Sequence, residues 1–252
     1  MLSKNSIKFI NSLRIKKYRN ETGLFIAEGD RLVEEILGST IRINTIYHTS
    51  TWGNIVTDDF KTITISVDDM KKISGLTSPS NVLALLYIPE YNLSLPDLSK
   101  SITIALDEIQ DPGNLGTIIR LASWFGIDTI LCSTDTVDVY SPKVIQSCMG
   151  AISNVKVIYC NLPEIIYNLR NKHKLPIYGT FMEGTNIYSE KLASNGVIVM
   201  GNEGNGISSQ IEKLVTHKIH IPSFSPNPST VESLNVAMAA AIVCSEFRRR
   251  HS

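Results

Sequence analysis

Several features that would assign this chain to a specialised class of protein are missing from its sequence. No run of apolar residues reaches the roughly 18 that a membrane-spanning helix needs. The 252 residues include four cysteines, no two of which form a CxxC pair, and five histidines that complete no metal-ligand pattern. We therefore expect buried free thiols and no structural metal or membrane span. The first 20 residues have no secretory-signal pattern, so a cytoplasmic location is expected.

The chain also lacks net charge, which by itself argues against a strongly basic nucleic-acid-binding protein. Its first 31 residues nevertheless carry seven basic side chains against three acidic ones. Within this cluster Arg14, Lys17 and Arg19 are the candidate phosphate contacts. A solvated surface without a partner is the alternative interpretation of such a cluster.

Hydrophobic periodicity divides the chain into two parts, residues 1–90 and 100–252, joined by a proline-containing linker at 89–100. The first part predicts helices over 4–18, 30–37 and 67–74 and strands over 23–27, 42–48, 62–67 and 82–88. The second part predicts strands over 102–106, 129–132, 155–159, 176–180, 197–200 and 218–221 and helices over 115–125, 142–149, 162–171 and 230–250. This alternation is typical of an α/β fold with a mostly parallel sheet and helices on both faces.

In such a sheet, ligands bind beyond the carboxyl ends of the strands. After the strand predicted at 102–106, the chain turns at Pro112 and Gly113 and enters a helix near Asn114, which we expect to be its N-cap. Arg120 follows in an otherwise apolar stretch of that helix. It is either a surface residue with its stem laid along the protein or a residue of the site.

Two further loops carry unusual residues. The sequence GNEGNG at 201–206 permits close approach of the backbone to a ligand but matches neither the dinucleotide nor the P-loop pattern. Its carboxylate, Glu203, is a poor choice for a loop that binds phosphate. Near the last helix, Ser229 and Glu232 fit a capping box, which predicts that Ser233 and Asn235 lie in the first helical turn.

Taken in order, these loops resemble the three signature motifs of the SpoU-type RNA ribose methyltransferases, a branch of the SPOUT superfamily. The motifs are Asn114 with Arg120, the GNEGNG loop, and IP followed by ESLNVA. SPKVIQSCMGA at 141–151 is similar to the family's middle segment, and the first 37 residues, with Arg31 after FIAEG, are similar to its RNA-binding domain.

The resemblance implies a deep trefoil knot in the C-terminal half, an exception to the rule that protein chains are unknotted. It also implies a homodimer whose active site is completed across the interface. The expected reaction is methyl transfer from S-adenosylmethionine to a ribose 2′-hydroxyl of structured RNA, with ribosomal RNA favoured over transfer RNA.

Residue by residue, the resemblance implies a catalytic cluster and a cofactor pocket. The expected catalytic residues are Arg120, Asn114, Glu203, Ser233 and Asn235. The expected cofactor-binding residues are Thr180, Gly201, Ile221 and Leu234. The sequence departs from the family at 223–232, which is longer and richer in proline than the usual segment.

Two alternatives stay open at this point. One is a transfer-RNA or base methyltransferase of the same superfamily. The other is a non-catalytic RNA-binding or ribosome-assembly factor, which the presence of Arg120 and the glycine loop disfavours.

Overall fold

The computed structural model describes residues 1–53, 59–225 and 233–251. The chain divides into two compact units, Met1–Glu90 with Asp138–Asn154, and Tyr91–Val137 with Val155–Ser252. None of the four cysteines is in a disulfide, and three of them are buried, as expected. Among the helices of the described ranges, none has the length and apolarity that crossing a membrane requires.

The first unit is built on a four-stranded mixed sheet. Its elements up to residue 90 are α1 (Lys4–Ser12), α2 (Lys16–Thr22), β1 (Leu24–Glu28), α3 (Asp30–Leu37), β2 (Ile43–His48), β3 (Lys61–Thr64), α4 (Val67–Ile73) and β4 (Val82–Tyr87). The strand order is β1-β4-β2-β3, with β2 and β3 parallel and the other two pairs antiparallel. Ile10, Leu13 and Leu83 belong to the apolar core of this unit.

The single helix predicted over residues 4–18 is wrong, because the chain breaks between α1 and α2. Leu13, the C-cap of α1, is fully buried, and Ile15 is extended, with φ −100° and ψ 129°. The break frees the Leu13 carbonyl to accept a hydrogen bond of 2.8 Å from the Arg19 guanidinium. A local hydrogen bond from a side chain therefore replaces the helical bond that periodicity alone would predict.

The second unit is built on a six-stranded parallel sheet. Its elements are α5 (Leu95–Leu98), β5 (Ile102–Leu106), α6 (Pro112–Trp124), β6 (Thr129–Cys132), β7 (Lys156–Tyr159), α8 (Leu162–Lys172), β8 (Ile177–Asn186), β9 (Gly196–Met200), α9 (Ser209–Glu212), β10 (His217–His220) and α10 (Val236–Arg249). The strand order is β10-β8-β9-β5-β6-β7, and every pair is parallel. The predicted α/β class and parallel sheet are confirmed.

Residues 138–154 lie in the first unit, although their sequence position is inside the second part of the chain. They form α7 (Pro142–Cys148) and a 3-10 helix, Met149–Ser153. The Glu35 carboxylate of α3 accepts a hydrogen bond of 2.9 Å from the Gly150 backbone N–H. The predicted linker also contains more structure than expected, since α5 lies within it and Leu98 packs into the core of the second unit.

Candidate functional site

The site begins at two neighbouring strand ends. β5 pairs with β9 in parallel register, with Leu106 opposite Met200, so the loops that follow the two strands leave the sheet side by side. The Asp107 N–H donates to the Met200 carbonyl at 2.9 Å, and the Asp107 carboxylate accepts from the Ser208 N–H at 2.7 Å. These bonds hold the loop after β9 against the start of the loop after β5.

Asn114 lies inside α6 and does not cap it. The N-cap is Asp111, whose carboxylate accepts from the Asn114 N–H at 2.8 Å, and Pro112 begins the helix. The predicted N-cap role of Asn114 is therefore wrong, because Asp111 already satisfies the free N–H of the first turn. The Asn114 side chain is left to donate to the Glu203 carboxylate at 2.8 Å.

Asn235 brings the third motif to the same place. Its amide N–H donates to the Asn114 side-chain oxygen at 2.9 Å, while its own side-chain oxygen caps α10 by accepting from Ala237 and Met238. Since α10 begins at Val236, the prediction that Ser233 and Asn235 lie inside its first turn is wrong. The capping box predicted at Ser229 and Glu232 lies outside the described residues. Ser233 itself is exposed just before the helix.

Three motifs are thus joined by one chain of side-chain hydrogen bonds, Glu203 to Asn114 to Asn235. The Asn114 amide donates to a carboxylate and accepts from a second amide, so both ends of its side chain are assigned by their partners. Glu203 also accepts from the Gln110 backbone N–H at 3.4 Å. Arg120, further along α6, is exposed and has no hydrogen bond or ion pair within the described part of the chain.

Gly201 follows β9 at a point where only glycine fits. A Cβ at this position would lie 2.3 Å from the Gly206 carbonyl carbon and 2.3 Å from the Ile207 nitrogen. The close approach arises because Asn202 and Gly206 exchange two backbone hydrogen bonds of 2.9 Å, and Gly206 has a φ of 71°. The glycine loop is therefore a tight turn whose backbone folds back onto the end of its own strand.

The other expected cofactor residues lie within β8, directly after β10 and before α10. Thr180 lies in β8 and donates to the Val199 carbonyl at 3.1 Å. Its strand leaves the regular register there, since Gly179 pairs with Lys218 and the next pair is Thr185 with Ile219. Ile221 is half-buried directly after β10, and Leu234, half exposed, precedes α10.

With this geometry established, comparison with known proteins identifies the family. Residues 101–245 match the SpoU rRNA methylase family. The chain belongs to the SpoU rRNA methylase family. Residues 4–84 match the MRM3-like substrate binding domain, so both parts of the chain have counterparts in known proteins.

Several relatives of this SpoU family member match it over nearly its whole length. The 23S rRNA (guanosine(2553)-2′-O)-methyltransferase RlmP of Bacillus subtilis is 29% identical, over 96% of this chain and 95% of its own. A structure from Porphyromonas gingivalis, assigned to RNA methyltransferases of the TrmH family, is 36% identical over 99% of both chains, with a TM-score of 0.88. The AdoMet-bound rRNA methyltransferase of Sinorhizobium meliloti is 26% identical over 99% of this chain and 96% of its own, with a TM-score of 0.81.

The expected RNA-binding residues divide into exposed and engaged side chains. Lys17 and Arg31 are exposed, at 72% and 86%, and each has one ion pair within its own helix, to Glu21 and Glu35. Arg14 donates to the Ile73 carbonyl at 2.6 Å and lies 4.0 Å from the Glu28 carboxylate.

Arg19 does not fit the predicted role. It is 2% exposed, and its guanidinium binds the Asp138 carboxylate and the Leu13 carbonyl. One arginine of the basic cluster therefore stabilises the fold, because it is buried against an ionic partner 119 residues away along the chain.

Two residues that the sequence analysis passed over also shape the site. Asp111 supplies the helix cap that releases the Asn114 side chain, and an acid directly before proline is a recognisable cap signal. Asn202 lies within the GNEGNG loop and donates to the Glu108 carbonyl at 2.7 Å. No local pattern indicates that second contact, because its partner lies 94 residues earlier in the chain.

Proposed function

We propose that this SpoU family member transfers a methyl group from S-adenosylmethionine to a ribose 2′-hydroxyl of ribosomal RNA. The observation that carries the proposal is the hydrogen-bonded chain from Glu203 through Asn114 to Asn235, which joins the three motifs. Near-full-length similarity to an enzyme named as a 23S rRNA 2′-O-methyltransferase supports both the ribose and the ribosomal target.

The proposed cofactor pocket consists of Thr180, Gly201, Ile221 and Leu234. Gly201 and Ile221 directly follow β9 and β10, Thr180 lies in β8 just after its last residue paired with β9, and these three strands are neighbours in the sheet. The lack of space for a Cβ at Gly201 suits a ligand held mainly by backbone groups. S-Adenosylmethionine supplies an electrophilic methyl group on a positively charged sulfur.

In the proposed reaction, the protein's main task is alignment of the ribose oxygen with the methyl carbon. Arg120 is a poor proton acceptor, because a guanidinium has a pKa above about 12. Its exposed and unengaged side chain instead suits a cation that holds a substrate phosphate and stabilises negative charge developing on the oxygen. Asn114 and Ser233 orient the ribose, and Asn235 fixes the Asn114 amide.

Residues 1–90 are proposed to bind the RNA substrate, with 89–100 joining them to a methyltransferase domain at 100–252. Lys17 and Arg31 supply exposed cations for phosphate contacts, and Arg14 contributes through its partly exposed guanidinium. A folded α/β domain can grip a structured RNA by shape and backbone contacts, which suits ribosomal RNA. We leave Arg19 out of this surface because it is buried.

Methylation mapping tests the function and the substrate together. Maps of 2′-O-methylation in ribosomal and transfer RNA would be compared between cells with the wild-type protein, without it, and with Arg120→Ala. We expect one ribosomal position to lose its methyl group in both the deletion and the variant. Calorimetry of the purified variant provides the control, since its affinity for S-adenosylmethionine should stay close to that of the wild-type protein.

Each other result of the mapping points to a different protein. Loss of a methyl group from transfer RNA would show that transfer RNA and not ribosomal RNA is the substrate. A methyl group found on a base by mass spectrometry would show that the base and not the ribose is methylated. A ribosomal site that stays fully methylated with Arg120→Ala would contradict the proposed catalytic role. Unchanged maps in the deletion would favour a non-catalytic RNA-binding or assembly factor.

We also propose that the protein acts in the cytoplasm as a homodimer with a trefoil knot in its methyltransferase domain. The four free thiols are the form that a reducing compartment maintains. Trp124 in α6 and Met238 in α10 are 84% and 60% exposed, and the two helices pack against each other. Large exposed apolar side chains at the two ends of this helix pair suit burial against a partner subunit. Family membership supports the knot.

A further inference from the structure

The side chain of Asn202 forms three hydrogen bonds that connect the two principal loops of the site. Its N–H donates to the Glu108 carbonyl at 2.7 Å, in the loop after β5. Its oxygen accepts from the Gly204 and Asn205 N–H groups at 2.8 and 3.0 Å, in the loop after β9. One amide therefore shapes the Glu203 turn and ties it to the turn that leads into α6.

Glu108, the partner across this link, has an unusual backbone. Its φ is 58°, and among the described residues only Met149 and Lys174 are other non-glycine positions with positive φ. A residue with a Cβ rarely adopts this conformation, and it persists where surrounding contacts enforce it. Three side chains bond to its backbone here: Asn202 donates to the Glu108 carbonyl at 2.7 Å, Gln110 donates to the same carbonyl at the longer distance of 3.3 Å, and the Ser133 hydroxyl accepts from the Glu108 N–H at 2.9 Å.

The left-handed turn has a direct connection to the site. Two residues after Glu108, the Gln110 N–H donates to the Glu203 carboxylate, and Asp111 then caps α6 and frees the Asn114 side chain. Loss of the bond from Asn202 would let the Glu108 turn relax towards negative φ. That change would move Gln110 and the start of α6 relative to Glu203.

We propose that Asn202 is a positioning residue for methyl transfer, which acts by holding the Glu108 turn so that Asn114 meets Glu203. The inference rests on the proposed function, because it takes Asn114 and Glu203 as parts of the catalytic site. Asn202 acts through the loops and not on the substrate. The two backbone bonds between Asn202 and Gly206 do not involve its side chain, so they stay available to hold the loop when that side chain is removed.

The first test is Asn202→Ala, with Asn205→Ala as the matched control. Asn205 is an exposed asparagine of the same loop that contributes only its backbone N–H to this network. We expect Asn202→Ala to lower kcat by on the order of 10- to 100-fold, the scale of a small misplacement of reacting groups. The KM for RNA and the Kd for S-adenosylmethionine should change little, and Asn205→Ala should keep wild-type kinetics.

Asn202→Asp tests the donor and the acceptor of the Asn202 side chain separately. It also keeps the inference testable if Asn202→Ala fails to fold. An aspartate keeps an acceptor for Gly204 and Asn205 but cannot donate to the Glu108 carbonyl. We expect it to remain folded, as judged by thermal unfolding, and to lose turnover as Asn202→Ala does. Wild-type turnover of the folded Asp variant would overturn the inference.

A double-mutant cycle with Glu108→Gly tests the mechanism. Glycine adopts positive φ without the steric cost that a Cβ imposes, so the turn then depends less on Asn202. We expect the loss of kcat caused by Asn202→Ala to be several-fold smaller in the Glu108→Gly background than in the wild type. Equal losses in both backgrounds would overturn the proposed link.

The outcomes also distinguish this inference from the proposed function. If Arg120→Ala abolishes methylation while Asn202→Ala keeps wild-type kcat, the function stands and the positioning role is wrong. If Arg120→Ala keeps full activity, the proposed catalytic cluster itself is wrong.

Discussion

At the scale of single residues, Gly201 offers the sharpest steric test of the cofactor loop. An added Cβ would meet backbone atoms at 2.3 Å, and backbone cannot rotate aside as a side chain can. We expect Gly201→Ala to lower the free energy of unfolding by about 1–3 kcal/mol, the usual cost of overpacking. Binding of S-adenosylmethionine, measured by calorimetry, should be lost because the turn must open.

Gly204→Ala is the matched control for this substitution. It lies in the same loop, and the nearest atom to its added Cβ is the Asn202 side-chain oxygen at 3.5 Å, an ordinary contact. Its stability and cofactor affinity should therefore stay close to wild type. Tight cofactor binding by the Gly201→Ala protein would contradict the pocket assigned to this loop.

At the scale of secondary-structure elements, two of the three basic residues of α2, Lys17 and Arg19, are expected to have opposite roles. Arg19 is buried against Asp138, and removing one partner of a buried ion pair costs about 3–5 kcal/mol. We expect Arg19→Ala to lower the free energy of unfolding by that amount, measured by denaturant titration. Lys17→Ala should leave stability nearly unchanged, because its pair with Glu21 is exposed.

The two variants should have effects on RNA binding in the opposite order, with the larger effect from Lys17→Ala. If Lys17 contacts one phosphate, its loss reduces the slope of log Kd against log salt by about 0.7–0.9. Arg19→Ala, tested at a temperature where it remains folded, should keep the wild-type slope. A reduced slope for Arg19→Ala alone would show that its guanidinium reaches the RNA after all.

The C-terminal end of α10 has a pH-dependent contribution to stability. Hydrogen bonds from Arg249 and Arg250 hold the pKa of Glu246 at about 2, below its ordinary value of 4.5, against the opposing effect of burial. A depressed carboxyl pKa stabilises the folded state above pH 4.5, and that contribution is lost as pH falls from 4.5 towards 2. Glu246→Gln should therefore lower Tm at pH 7 and have a shrinking effect below pH 4.5. A difference in Tm that stays constant down to pH 3 would contradict this assignment.

At the scale of the whole molecule, the proposed homodimer is tested through Trp124. This side chain is 84% exposed on α6, and a charge placed there would disfavour burial against a partner subunit. We expect wild-type protein to sediment as a dimer and Trp124→Glu as a monomer. Methylation activity should be lost when the dimer is lost, since the site is proposed to be completed across the interface.

Tyr167→Glu on α8 is the control for a charge at an exposed aromatic position. Tyr167 is 54% exposed, and its helix is not part of the proposed interface. This variant should remain dimeric and active. A wild-type protein that is monomeric at micromolar concentration and fully active would remove the dimer from the proposal.

Local sequence patterns were enough to predict the parallel sheet, the strands at 102–106 and 129–132 and the order of the three motifs. Their signals are local: apolar runs of strand length, glycines in a turn and a polar residue before a helix. The sequence therefore placed Asn114, Glu203 and Asn235 at the correct ends of the correct elements. Helix boundaries were less well predicted, because Asp111 and not Asn114 caps α6, and Asn235 is the N-cap of α10 and not part of its first turn.

The tertiary structure alone decided which side chains meet. In the sequence Arg19 is indistinguishable from its basic neighbours. The structure shows that it pairs with Asp138, 119 residues later. Asn202 is one residue of a glycine loop in the sequence, and only the structure shows that its amide donates to the carbonyl of Glu108, 94 residues earlier. Burial and hydrogen bonding between distant segments depend on how the strands are ordered in the sheet. No window of neighbouring residues contains that information, which is why the motifs were predictable and their connections were not.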